Sequence, residues 1–295
     1  MNHLRNQNGI ALIVTLLAVA IITAMVVEFA YGVYTGTNNL YNWRDSQRLS
    51  LMAKSGINVT AKYLKTIPKD KFTEPVELPV ENPFEDFQGT ITVRIEDENG
   101  KFPVNAIVPN NQEVKKDRND SPYNVFKRLL KELSVDEKIA DRVVDWIDKD
   151  RIAEVDNSEE NAKNDELSSV DELLLIKGIS KEDYKKLLPY ITVSGTRTSP
   201  QININSAEKP VLKALFNVKT DDLANRIITL RNSSTFSGTG NLISRIGSNI
   251  DVPFMVTFES NIFFISSTAS SGGVKRIIET VFNTEKEKIE YWKEY

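Results

Sequence analysis

The chain has 295 residues, 40% hydrophobic and 26% charged, a globular composition with room for one or two domains. A net charge of −4 gives no electrostatic reason to expect a nucleic-acid partner. Cysteine is absent, which excludes disulfide, zinc-thiolate and thiol chemistry; the single histidine, His3, stands among the first residues, which excludes an imidazole-based catalytic site in the body.

Residues 1–9 form a short polar leader that carries Arg5 and ends on Gly9. Residues 10–27 then carry no charge, and eighteen residues at 1.5 Å each make roughly 27 Å of helix, close to a bilayer's hydrocarbon core. Three readings compete. A cleaved secretory signal calls for a shorter apolar region before its cleavage site, whereas the Ala-Val-Ala at 18–20 is followed by further apolar sequence. A plain signal anchor keeps Arg5 and the amino terminus cytoplasmic and places the remaining chain outside. The third is similarity to the prepilin-type signal, in which a membrane peptidase cuts after the glycine, here between Gly9 and Ile10, and leaves the apolar helix attached.

Helical spacing continues through Trp43, Arg44, Arg48, Leu49, Met52, Ala53, Ile57, Ala61, Tyr63 and Leu64, with no proline before Pro68. This predicts one rod over residues 10–66. Residues 68–83, rich in Pro, Glu and Lys, read as a connector. GTITVRIEDENGKFPVN alternates apolar and polar residues, and Asn99-Gly100 predicts a hairpin. Helix-start signals follow: Ser121-Pro122, capping boxes at Ser134/Glu137 and Ser169/Glu172, and Thr220 before Asp221 and Asp222. Two apolar faces agree with them, Phe126, Leu129, Leu130 and Leu133, then Ile139, Val143, Trp146 and Ile147. Strand patterning returns in FMVTFESNIFFISSTASS, and after a Gly272-Gly273 turn in VKRIIETVFN.

The expected fold class is α+β: a pilin-like long N-terminal helix plus an antiparallel sheet, interrupted by an inserted all-helical domain of helix-hairpin-helix or SAM-like type. The sheet domain is expected over 67–104 and 236–284, the insert over 105–235, and the charged tail 285–295, with Ile289 and Trp292 as its apolar face, frayed or lightly docked. An internal echo, GKFPVNA at 100–106 and QININSA at 201–207, corroborates the layout.

The order of the Gly-ending leader and apolar helix, DENGKFPVN, VVDWIDKD, ELLLIKGIS, ININSAEKPVLKAL and FESNIFFISSTA resembles the large minor pseudopilin of the type II secretion system, the general secretion pathway protein K family, over nearly the whole chain. The resemblance implies a single-pass bacterial inner-membrane protein with a cytoplasmic N-terminus and a periplasmic body. It also implies a place at the tip of a short pseudopilus with other minor pseudopilins above the major pseudopilin, after processing by the prepilin peptidase. Major pilins carry glutamate at the fifth mature position; counting from Ile10, that position here is Val14. A carboxylate in a bilayer is costly unless paired, so a subunit with no neighbour above it has reason to be apolar there.

The densest acidic run is DWIDKDRIAEVDNSEENAKNDE at 145–166. Calcium binding, which the resemblance also implies, is one reading, with Asp145, Asp148, Asp150, Asp156, Glu159, Glu160 and Asp165 as candidate ligands. A solvated acidic helix end and linker is the other, and no EF-hand frame is present. LLLIKGIS followed by KEDYKKLLPYI resembles a helix-hairpin-helix with Lys177, Lys181, Lys185 and Lys186, and 206–231 has the makings of a second. The alternative function this raises is a membrane-anchored, competence-type DNA-binding protein; net charge and the extracytoplasmic placement favour hairpins used for packing or protein contact. No hydrolase triad, zinc set, P-loop or dinucleotide glycine pattern appears, so no enzyme is expected.

Overall fold

The computed structural model describes every residue except 1–3, 68–71, 110–113, 115, 151, 156–157, 159 and 249. Its first element is one helix, α1 (Leu4–Leu64), 61 residues without a break. At 1.5 Å per residue that is a rod of roughly 90 Å. Only the last third touches the body. Leu49, Met52, Ala53, Ile57 and Leu64 are buried at helical spacing, whereas Trp43 and Tyr63, on the same expected face, are 64% and 47% exposed.

The buried stripe of α1 lies on an antiparallel sheet in the order β1 (Val76–Val80), β2 (Thr90–Asp97), β7 (Ile262–Ser271), β8 (Val274–Asn283), β9 (Lys288–Glu294). Alternation on β2 turns Ile91, Val93 and Ile95 toward the helix, where they meet Phe263, Ile265, Ala269, Ile278 and Phe282 in one core. Gly56 sits at the closest approach. A Cβ there would collide with Ser267 Oγ and stand 3.0 Å from Ile91 Cγ2 and 3.1 Å from Val93 Cγ2. The β7–β8 hairpin turns on Gly272 and Gly273, both at positive φ (55° and 82°), the primed-turn geometry that glycine allows without steric cost.

The chain between β2 and β7 builds a second, larger core. Its first half runs from β3 (Phe102–Pro103) through α2 (Pro122–Glu132), α3 (Lys138–Ile147), a 3-10 segment (Val170–Leu175) and α4 (Lys181–Leu187) to β4 (Ile191–Thr192), which pairs parallel with β3. Its second half runs from β5 (Ile202–Asn203) through α5 (Lys209–Phe216), α6 (Asp222–Ser233) and α7 (Thr239–Ile246) to β6 (Val256–Thr257), again parallel to the strand that opened it. The insert is therefore helical with two short strand pairs added. The echo between 100–106 and 201–207 is structural. Asn105 is buried and donates from Nδ2 to Leu167 O and Val193 O, 3.0 Å each, while its Oδ1 accepts from Leu167 N. Asn205 does the same with Phe236 O, Phe258 O and Phe236 N. Each carboxamide ties the turn after the first strand to the residue after the second, satisfying backbone groups the short strands leave open.

Four expectations need correction. Asn99-Gly100 makes no hairpin. It lies in a 3-10 turn, Glu98–Gly100, capped by Asp97, and carries the chain out of the sheet into the insert. Ser134 does not cap α3. It takes the left-handed conformation (φ 53°) just past α2, where Val135 N returns to Leu130 O, and Glu137 caps α3 without a side-chain bond. The insert does not end at 235, because Phe236, Leu242, Ile246 and Met255 are in its core; it begins by Phe102. The tail is not frayed: β9 pairs along β8, Lys293 reaches Asp171 at 3.2 Å, and Lys54 and Lys65 of the α1 side reach Glu294 and Glu287. Charge density hid a strand whose alternate residues face two different partners.

The other start signals divide. Ser121 caps α2 with Pro122 in its first turn. Ser169 makes no side-chain cap, although Glu172 reaches back to Ser168 N at 2.9 Å. Asp221 precedes α6 without a cap bond and instead pairs with Lys209 and Lys213. The reciprocal capping box of the insert is Ser180 with Asp183, ahead of α4.

Candidate assembly surface and acidic segment

Two parts of the molecule are available for function: the bare portion of α1, and the surfaces of the insert. Every residue of 9–33 is exposed, and the apolar window of this helix has a mean hydropathy of 3.0 with none of it covered, long and apolar enough to cross a membrane. Gly9 and Ile10 lie inside the continuous helix. Nothing approaches within 4 Å of a Cβ placed on Gly9, and Ile10 is 60% exposed. Val14 is 57% exposed. After the apolar run, Glu28 is the first charge and Arg44 the next, so the uncovered helix continues for more than a dozen residues before Leu49 enters the body.

Three of the motifs that carry the family resemblance, DENG, NINSA and ESNI, meet at one place, the joint between sheet and insert. Asp97, at the end of β2, accepts from Asn99 N at 2.9 Å and Asn203 Nδ2 at 3.0 Å, and also from the hydroxyls of Ser206 and Ser260. Asn99 Oδ1 accepts from Asn261 N and Ile262 N, 2.9 Å each. Gly100 packs so closely on Ser206 that a Cβ would lie 2.7 Å from its hydroxyl. DENG, NINSA and ESNI are thus three strands of one splice. The Asp97 residue is partly covered overall, but its carboxyl group is enclosed. Burial raises its pKa from 3.8 to about 6, against the lowering effect of the hydroxyl and amide donors. The motifs are legible in the sequence, but the meeting of their polar residues, more than 100 positions apart, is not.

The candidate calcium ligands are dispersed. Asp145 is fully buried at the end of α3, where its carboxylate accepts from Glu154 N at 3.0 and 3.1 Å and from the Ser158 hydroxyl, which pins the following loop. Asp148 caps the end of α3. Asp150 and Asp165 are exposed and accept from nearby backbone amides, and Glu160 pairs with Lys177 at 3.6 Å. Asp156 and Glu159 lie outside the described residues. Among the described residues no three His, Cys, Asp or Glu side chains gather to hold a metal ion. Lys116, bridging Asp141 at 3.5 Å and Glu154 at 2.6 Å, adds a second tie to the same loop.

The hairpin at 170–187 has a 3-10 first arm, a turn on Gly178 (φ 92°) and α4 as its second. Arg142 fills the space under Gly178, 2.8 Å from where a Cβ would be, and donates to Lys177 O. Of the four lysines, Lys177 and Lys186 face carboxylates of Glu160 and Glu182. Helices α5 and α6 form the second hairpin through Asn217 in the left-handed conformation.

Comparison with known proteins follows the same lines. Residues 100–196 match the family described as type II secretion system (T2SS), protein K. The type II secretion system protein K of Pseudomonas aeruginosa is 31% identical over 241 residues, covering 72% of this chain and 69% of its own length. The protein of that name from Pectobacterium carotovorum is 29% identical over 241 residues, 71% of this chain and 70% of its own. A chain in the crystal structure of the GspK-GspI-GspJ complex from the enterotoxigenic Escherichia coli type 2 secretion system has a similar fold. Its TM-score is 0.67 at 16% identity, over 87% of this chain and 99% of that one.

Proposed function

Because the chain belongs to the type II secretion system protein K family, we propose that it caps the tip of the pseudopilus and nucleates its assembly, so assisting protein export across the outer membrane. Its action is mechanical rather than catalytic. Cleavage after Gly9 would free Ile10 as the mature terminus and leave α1 in the inner membrane, with the N-terminus cytoplasmic and the body periplasmic. The observation that carries this is α1 itself: one helix exposes an uncharged 10–27 segment and then packs Leu49 to Leu64 against the sheet. A subunit withdrawn from the bilayer loses the lipid environment of that segment. Neighbouring helices packing along the bare helix offset the loss, because apolar surface kept from water is worth about 25 cal/mol per Å².

Two features support the tip position. Val14 offers no carboxylate to a subunit above, and the insert, larger than the sheet's core, adds bulk that a shaft of packed copies has little room for. The related Escherichia coli chain is described in a complex with GspI and GspJ; by analogy the partners here are two other minor pseudopilins, with the major pseudopilin below. Immunogold microscopy of sheared pseudopili tests this: label on the head is expected at filament ends only, and label along the shaft overturns the proposal.

The described carboxylates of 145–166 do not assemble a ligand set, and no part of this function is routed through calcium. Calorimetric titration of the full-length protein with calcium tests the acidic-loop reading directly; absence of heat and of a thermal shift dismisses it. The DNA-binding alternative predicts salt-sensitive retention of duplex DNA in a filter assay.

A further inference from the structure

A cleft of about 650 Å³ separates the outer face of the sheet, the face turned away from α1, from the insert. Strands β2, β7, β8 and β9 contribute one wall through Arg94, Phe264, Glu279 and Tyr291; the 3-10 segment, α4 and the turn before β4 contribute the other through Asp171, Tyr184 and Tyr190. Eight carboxylates and three cations line it, an excess greater than the whole chain's net charge of −4.

The three cations are already neutralised from within. Lys101 is bonded to Glu98 and stands 3.7 Å from Glu96; Arg94 pairs with Glu96 and Glu77; Lys293 pairs with Asp171 and lies 4.9 Å from the Tyr295 ring. Glu74, Glu208 and Glu279 take part in no ion pair among the described residues, although the charges of Glu74 and Glu208 act on the buried Arg231 guanidinium and Glu279 accepts from the Tyr295 hydroxyl at 3.0 Å. Beside these carboxylates are aromatic rings that accept cations on their faces. Glu208 and Tyr190 line the same cleft; burial, and after it the charge of Glu208, holds the Tyr190 hydroxyl above its ordinary pKa.

We propose that this cleft is a docking site for a lysine- or arginine-bearing segment of a different protein, held by Glu74, Glu208 and Glu279 against the tyrosine rings. Excess negative charge confined in a partly enclosed groove attracts cations from a distance and is less screened than the same charge on an open surface. Tyrosine adds contact area at small entropic cost, with a polar tip that stays hydrated. The site goes beyond the pseudopilus-tip function and does not depend on it, since it can be tested on the isolated protein.

The experiment uses the full-length chain in detergent micelles and fluorescence anisotropy with two labelled octapeptides, one alternating lysine and serine, the other glutamate and serine. The lysine peptide is expected to bind, with affinity falling as sodium chloride rises, and the glutamate peptide not to. The triple variant Glu74→Gln, Glu208→Gln, Glu279→Gln is expected to weaken binding by roughly tenfold or more, the sum of three modest ion pairs. The matched variant Glu81→Gln, Glu85→Gln, Asp251→Asn, outside the cleft, is expected to leave it unchanged. Three outcomes overturn the proposal: no binding, equal loss in both triple variants, or self-association of the chain that the cleft variant abolishes, which would make a second copy the occupant.

Discussion

Gly56 offers a sharp test of how α1 is seated. Replacing it with alanine improves intrinsic helix propensity by up to ~1 kcal/mol, so on an open helix the change would stabilise. Here the new methyl meets Ser267 Oγ and stands 3.0 and 3.1 Å from the methyls of Ile91 and Val93. Rotating Ser267 relieves only the first of these contacts. Overpacking of this kind costs about 1–3 kcal/mol, and three close contacts put it at about 2–3, so Gly56→Ala is expected to destabilise by about 1–2 kcal/mol after the propensity gain. Ser267 Oγ is itself buried without a hydrogen-bond partner, and Ser267→Ala alone is expected to stabilise by about 1 kcal/mol. Together the two changes leave the propensity gain and remove most of the collision. The double variant should exceed the parent by about 1 kcal/mol, a coupling energy of about 1–2 kcal/mol. Thermal unfolding of the full-length protein in detergent, followed by tryptophan fluorescence, reads this as a few degrees per kcal/mol. If the two effects add within about 0.5 kcal/mol, Gly56 and Ser267 do not share a contact and the helix is seated differently.

Three further predictions bear on the joint, the insert and the anchor. Because the folded pKa of Asp97, about 6, lies above the unfolded 3.8, the folded chain keeps a proton that the unfolded chain has released. The contribution of Asp97 to stability is therefore greatest below pH 3.8 and is lost as pH rises through about 6; Asp97→Asn should flatten this slope in urea midpoints between pH 4 and 7, and an unchanged slope refutes it. Asn105→Ala and Asn205→Ala should each cost roughly 3 kcal/mol or more by denaturant titration, since each strands two carbonyls and one amide, while exposed Asn119→Ala should stay within about 0.5 kcal/mol. Intact-mass measurement of membrane-isolated protein should give a chain starting at Ile10, and Gly9→Val should retain the leader; a leader kept by the parent, or lost equally from the variant, would remove the prepilin-type assignment.

What the sequence disclosed was whatever short-range chemistry decides. The long rod was legible because an uncharged run passes into a proline-free amphipathic stretch, and the β7–β8 turn because two adjacent glycines fit one geometry. Ser121-Pro122 announced α2 for the same local reason. The failures share a cause at the other extreme. Asn99-Gly100 looks like a turn, yet Asn99 spends its side-chain oxygen on Asn261 and Ile262, across 162 and 163 positions of chain. Ser134 carries a capping pattern, but closing the preceding helix claims its backbone first. Among the site residues, the acidic run advertised its charge without its geometry: Asp145 faces inward to Glu154 N and Ser158, and no spacing rule separates that from a ligand. The cleft was invisible for a related reason, since its walls come from strands and helices far apart in sequence.

The pairing of β2 with β7, Thr90 opposite Ser270 through Asp97 opposite Phe263, sets the order in which the head can mature. Closing a loop of that length is entropically costly and slow, whereas both halves of the insert fasten strands much nearer in the chain. During export the insert can therefore reach its native state while β1 and β2 still wait, unpaired at one edge, for β7 to emerge. An exposed strand edge beside a membrane invites the wrong neighbour. Early folding of the insert brings Asn203 and Ser206 into being before their partner Asp97 is locked in place, so the joint is a template already set when the sheet finally closes.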